Sequence, residues 1–187
     1  SGYFEDNVAL SGFRIGLTNS ITDKPWEEFS SAGLIGHVTV NDGYIELPDA
    51  EGSYQISLQA KDLGDHLTEQ RWSVVLDRTP PMGIALINNG SRYTKDPNVA
   101  LALNVSDAIS GLDQMRFSLN NGTTWSGWES FSTSKDLTLA GSDGLKKIMI
   151  EVLDRSGNRA SFSSQITLDT VAPNVVINAA ESGSSQV

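Results

Sequence analysis

"YQISLQAKDLGDHLTEQRWSVVLDRTPP" (Tyr54–Pro81) and "KKIMIEVLDRSGNRASFSSQITLDTVAP" (Lys146–Pro173) align without a gap, 92 residues apart at both ends. Ile56 falls on Ile148, Leu58 on Ile150, Ala60 on Val152, Val74 on Ile166 and Leu76 on Leu168. Asp62 coincides with Asp154, and Asp77 with Asp169. The apolar residues recur at every second position, the period of a half-buried strand. Each stretch therefore predicts two strands joined by a turn and followed by a proline-containing connector. A period near ninety residues exceeds a solenoid unit and suits a small sandwich domain.

The likeness continues upstream with insertions. "LSGFRIGLTNS" (Leu10–Ser20) resembles "ISGLDQMRFSLNN" (Ile109–Asn121), and "WEEFS" (Trp26–Ser30) resembles "WESFS" (Trp128–Ser132). "NVALALNV" (Asn98–Val105) reads as a further strand, apolar on both faces. Turn formers punctuate the chain every 8–12 residues or so, and no window shows helical spacing with caps. The connectors "LDRTPP" and "LDTVAP" are stiffened by proline, which fixes its own φ and extends the residue before it. The expected organisation is a first domain over residues 1–79, a second over 80–173, and the first strand of a further repeat in 174–187. Both ends then fall inside repeats, as in a fragment of a longer array.

Composition bounds the function. The 187 residues carry a net charge of −10, which argues against a nucleic-acid partner, since phosphate binding needs clustered Lys and Arg. There is no cysteine, so disulfides, thiolate metal sites and cysteine nucleophiles are excluded. No apolar run is long enough to insert in a membrane as a helix. Neither a P-loop, a dinucleotide glycine motif nor a Gly-x-Ser-x-Gly elbow is present. His37 and His66 have no sequence neighbour that suggests a metal pair or an acid–base couple, and both are expected at the surface.

On the Val152–Asn158 turn, the closing "LDTVAP" and the repeat length, the chain resembles bacterial immunoglobulin-like repeats. The resemblance implies an all-β fold of tandem immunoglobulin-like sandwiches. It also implies extracellular or cell-surface work as a spacer or adhesive arm, without enzymatic activity. The partners it implies are neighbouring repeats of the same chain, with a cell-surface glycan or protein as a further candidate. The first unit departs from the pattern at "DLGDH" (Asp62–His66), where the Gly-Asn turn belongs.

Two candidate sites remain. "SLNNGTTW" (Ser118–Trp125) resembles the Asp-box hairpin, with Asn120 in place of the usual aspartate and Trp125 folding back over the turn. Trp125, Trp128 and Tyr93 could present rings to a carbohydrate, as in an accessory module of a secreted hydrolase; the competing expectation is that the tryptophans pack. Asp77, Asp107, Asp154 and Asp169 fall at expected strand ends and connectors. They could supply oxygens to calcium, which takes six to eight, or could simply cap turns. No other cofactor is expected. Asn89, Asn104 and Asn121 stand in glycosylation sequons, which carry little weight in a bacterial protein.

Overall fold

Alternating apolar and polar residues make strands because the pleat sends successive side chains to opposite faces. The computed structural model describes residues 2–5, 10–20, 23–28, 35–38 and 45–176, and no α-helix occurs among them. The chain groups into two compact units. The first comprises Ser1–Pro81 with two loops, Ser106–Asp113 and Leu153–Arg159; the second comprises Met82–Val105, Gln114–Val152 and Ala160–Val187.

The first unit contains β1 (Gly2–Glu5), β2 (Leu10–Leu17), β3 (Glu27–Glu28), β4 (Ile35–Val38), β5 (Gly52–Asp62) and β6 (Leu67–Leu76). One sheet has the order β3-β2-β5-β6, and β1 pairs antiparallel with β4. In the larger sheet Tyr54 lies opposite Val74, and Phe13 opposite Ala60. One face of β5 carries Ile56, Leu58 and Ala60, all buried. Leu10, Phe13 and Ile15 pack against Leu58 and Ala60 there. The other face of β5 is polar yet also buried at Ser57 and Gln59. Arg14 Nε donates to Gln59 Oε1 at 2.8 Å, and Gln59 Nε2 and the Ser57 hydroxyl both donate to Glu69 Oε1.

The second set of strands is β7 (Met82–Ile87), β8 (Tyr93–Thr94), β9 (Asn98–Ser106), β10 (Leu112–Ser118), β11 (Glu129–Ser130), β12 (Ser134–Thr138), β13 (Gly144–Asp154) and β14 (Arg159–Leu168). They form a three-stranded sheet, β12-β9-β7, and a five-stranded one, β11-β10-β13-β14-β8. In immunoglobulin lettering this is E-B-A against C′-C-F-G, with the short β8 added parallel to the last strand. The fold is therefore an all-β sandwich of the immunoglobulin kind. Its core is the alternation read from the sequence: Leu101, Leu103, Ile148, Ile150, Val152, Ile166 and Leu168 are all buried, joined by Ile87, Met115 and Phe117. Each such side chain withdrawn from water contributes about 1.5–3 kcal/mol. In β9 burial alternates, and Ala100, Ala102 and Asn104 lie on the outer face, so this strand is apolar on one face rather than both. Alanine is small enough to sit half-wet at little cost, so Ala100 and Ala102 do not mark a second buried face.

Over two pairs of strands the repeat is exact in secondary structure. β5 and β13 begin and end 92 residues apart, as do β6 and β14. The turns between them match bond for bond, correcting the expectation that Asp62–His66 departs from the pattern. Asp62 Oδ1 accepts the N–H groups of Gly64 and His66, as Asp154 Oδ1 accepts those of Ser156 and Asn158. Asp65 holds the left-handed position at φ 61° that Gly157 holds at φ 89°. Aspartate tolerates that region better than most side chains, so the turn survives the loss of glycine. Residues 177–187, where much of a further strand was expected, lie outside the described residues.

Candidate functional site

Three acidic residues of the first unit converge. Asp77 follows β6, Asp107 sits in the loop after β9, and Asp154 ends β13. Their carboxylates each bring an oxygen within 4.8 Å of the others. Asp77 and Asp154 are only 7% and 2% exposed. Each carboxylate also organises backbone. Asp107 Oδ1 accepts the N–H groups of Ile109, Ser110 and Gly111. Asp77 Oδ1 accepts Thr79 N–H at 3.0 Å, and its Oδ2 accepts Ser110 N–H at 3.1 Å. Asn158 Nδ2 bridges, donating to Asp154 Oδ2 at 2.8 Å and to the Asp77 carbonyl at 3.1 Å.

The Ser110 hydroxyl is buried near Asp77, short of a well-formed hydrogen bond. Its proximity, with the N–H groups of Thr79 and Ser110, holds the Asp77 carboxyl below the ordinary aspartate range against the opposing effect of burial. None of the three carboxylates forms an ion pair with a described Lys or Arg. A cleft of about 670 Å³ adjoins them, lined by Val75, Leu76, Ile109, Arg155 and Ser156 with Asp77 and Ser110. Asp169, the fourth sequence candidate, is not in this cluster. It follows β14, is exposed, and accepts Val171 N–H at 3.3 Å.

The aromatic candidates do not form one platform. The guanidinium of Arg116 lies 4.9 Å from the Trp125 ring and 4.5 Å from the Trp128 ring, and is ion-paired to Glu151. Both rings are half-buried by this stacking. Trp26 repeats the arrangement on Arg14 at 4.5 Å, with Gln59 where Glu151 stands. Tyr93 is 71% exposed on β8, three strands from β10 across the sheet, or roughly 14 Å at the usual strand spacing. Trp125 does wall a cleft of about 400 Å³ with Phe117, Leu119, Leu137, Glu129 and Lys135.

The Ser118–Trp125 turn is held internally. Ser118 Oγ accepts Gly122 N–H and donates to Asn120 Oδ1, which also accepts Thr124 N–H. Asn121 and Gly122 take positive φ, as the Asn-Gly pair anticipates.

His66 lies at the surface, as expected, but it has a carboxylate partner that its sequence neighbours did not suggest. Its Nδ1 lies 2.8 Å from Asp62 Oδ2, the place that Asn158 Nδ2 takes beside Asp154. The His66 side chain and backbone N–H, the two leading causes, hold the Asp62 carboxyl below its ordinary range. The signal was the 92-residue offset, which puts His66 on Asn158. The side chain of His37 lies outside the described residues. Ser110 and Asn158 were missed as site residues because both act through groups, a backbone N–H and an amide, that carry no titration signature.

No protein-family model matches the sequence, and no curated protein does. Solved structures with similar backbones include the PKD1 domain of Vibrio anguillarum Epp, at 13% identity and TM-score 0.39, covering 51% of this chain and all of that one. Fibronectin(III)-like modules of Clostridium thermocellum CbhA match at 10% identity and TM-score 0.42, covering 94% and 87%. A tetra-tandem repeat from the extending region of a large adhesion protein matches at 12% and 0.37, covering 89% of this chain and 43% of that chain. No helix among the described residues is long and apolar enough to cross a membrane.

Proposed function

We infer that the chain is a non-enzymatic stretch of a bacterial surface or secreted protein, built of tandem immunoglobulin-like domains that work outside the cell as a spacer or adhesive arm. The observation that carries this reading is the recurrence of one strand–turn–strand–connector unit at 92 residues, down to its hydrogen bonds. A unit copied together with its connector is suited to be strung in series, and its work is to hold position. The His66–Asp62 pair is accounted for by the turn it closes, which Asn158 closes equally well without titrating. Neighbouring repeats are the first partners, and a surface glycan or protein the next. Antibody raised to this chain should label intact, unpermeabilised source cells or their culture medium; signal confined to lysed cells would overturn the reading.

Within it, Asp77, Asp107 and Asp154 hold a calcium ion. Three carboxylates gathered with no ion pair to a described Lys or Arg repel one another, and a divalent cation relieves this. Asp107 Oδ2, which accepts no N–H from the described residues, is the open ligand. Millimolar calcium should raise the melting temperature relative to a chelator, and Asp107→Asn, which keeps an acceptor for the loop, should abolish the rise. Unchanged melting would leave the three residues as turn caps.

The Trp125 cleft favours a second reading, a carbohydrate-binding module. Trp125→Ala would then abolish glycan binding with little loss of stability.

A further inference from the structure

The connector after β14 is made like the connector after β6. Asp143 Oδ2 accepts Thr170 N–H at 2.8 Å, as Glu51 Oε1, 92 residues earlier, accepts Arg78 N–H at 2.6 Å. Thr170 Oγ1 donates to Asp143 and Thr79 Oγ1 to Glu51. Asp169 caps Val171 N–H, and Asp77 caps Thr79 N–H. What differs is the outward side. The Asp77 carboxylate and carbonyl are consumed by Ser110 N–H and Asn158 Nδ2, which bury the residue. Asp169 is exposed, and among the described residues nothing donates to its Oδ2 or its carbonyl.

From this we propose that Leu168–Val171 is a docking element, held in shape by Asp143, whose occupant is a further immunoglobulin-like domain. That domain would offer Asp169 what this chain offers Asp77. Its Asp-x-x-x-Asn turn supplies a side-chain amide to the Asp169 carbonyl, and a Ser-Gly loop supplies a backbone N–H to Oδ2. The occupant follows from the chain itself, because the sister connector is seated on just such a turn and loop. The chemistry agrees, since the loop N–H suits the carboxylate oxygen and the side-chain amide suits the carbonyl, as at Asp77. The proposal rests on the serial reading above and names the residues through which successive domains join.

The test uses the full chain. Asp77→Ala should lower the melting temperature by roughly 5 °C through the bonds it removes, whereas Asp169→Ala should leave it unchanged. The connector is then exchanged in place, Arg78→Thr, Thr79→Val and Pro80→Ala, so that "LDTVAP" sits where "LDRTPP" does. Because the Asp77→Ala penalty is read within that background, any cost of the exchange itself cancels. An undiminished penalty supports the proposal. A lost penalty, or a chain that no longer folds, overturns it. In a chain carrying a second copy of residues 82–173 inserted after Pro173, Asp169→Ala should now cost as much as Asp77→Ala; a silent Asp169 there overturns the proposal. If that insert does not fold, the connector exchange alone decides. Absence of any Asp77→Ala effect in the natural chain also overturns the proposal, while the serial reading, which stands on the 92-residue recurrence, is left to its own test.

Discussion

Asp154 and Asp62 occupy one position in two copies of a turn, and their environments set what each is worth. Asp154 is almost fully buried and satisfies three N–H donors, two of them backbone. Removing the carboxylate strands those donors, so Asp154→Ala should destabilise by about 1–3 kcal/mol, read as a shift of the denaturation midpoint. The same change at Asp62, whose side chain is 16% exposed to water that can replace it, should cost less. An equal or larger loss at Asp62 would contradict this ordering. The tryptophans follow the same reasoning. A fully buried ring costs about 3–5 kcal/mol on truncation to alanine. Trp128 is half-buried against Arg116 and should cost less than that, with melting as the measure. The sequence exposed which residues recur, so Trp26 and Trp128 could be paired by eye. It did not reveal that each recurs with an arginine, because Arg14 and Arg116 reach their partners across strands rather than along the chain.

Strand identity was legible because period two is a direct consequence of the pleat, and β13 and β14 obey it along their buried stretches. Strand pairing was less so. Nothing local announces that β8, two residues long, lies parallel to β14. Nor does the sequence show that Gly83 in β7 admits close backbone approach: a Cβ there would sit 2.1 Å from Asn104 O, with φ at 156°. Gly144, at the start of β13 with φ 125°, has open space around it. The pair separates crowding from dihedral strain. Gly83→Ala should cost about 1–3 kcal/mol or more, because β7 must shift from β9, while Gly144→Ala should cost near 1 kcal/mol. Equal melting of the two variants would show that the edge strand yields freely.

On the polar face of β5 and β6, Arg71 foremost, then Ser57 and Gln59, lower the Glu69 carboxyl from 4.5 to about 2. A carboxyl depressed on folding stabilises above its unfolded value and loses that contribution as pH falls through the folded one. Denaturation midpoints measured from pH 6 down to pH 2 should therefore decline less for Glu69→Gln than for the parent below about pH 4.5. A steeper decline in the variant would reverse the assignment.

At the scale of the molecule, the sequence placed a boundary at residues 79 and 80 because proline marks a connector. The structure groups the loops Ser106–Asp113 and Leu153–Arg159 with the first unit, although strands on either side of them belong to the second. The reason lies in Asp77. Its carboxylate accepts Ser110 N–H and its carbonyl accepts the Asn158 amide, so the residue that ends one repeat anchors two loops of the next. A composition-based boundary sees the chain and not these bonds, because their donors are ordinary loop groups far away in sequence. The same distance explains why three of the four aspartates could be nominated from strand ends and yet not sorted from Asp169. Cutting the chain before Pro80 should accordingly leave the sandwich folded, since its buried residues Leu101, Leu103, Ile148, Ile150 and Val152 all belong to the second unit. It should also unmoor the two loops. Amide hydrogen exchange of residues 80–187 should show the β9, β13 and β14 cores protected, while Ser110 and its neighbours, and residues 154–158, exchange faster than in the full chain. If instead the cores lose protection together with the loops, the second sandwich draws its stability from the first, and the proline connector does not mark the end of a folding unit.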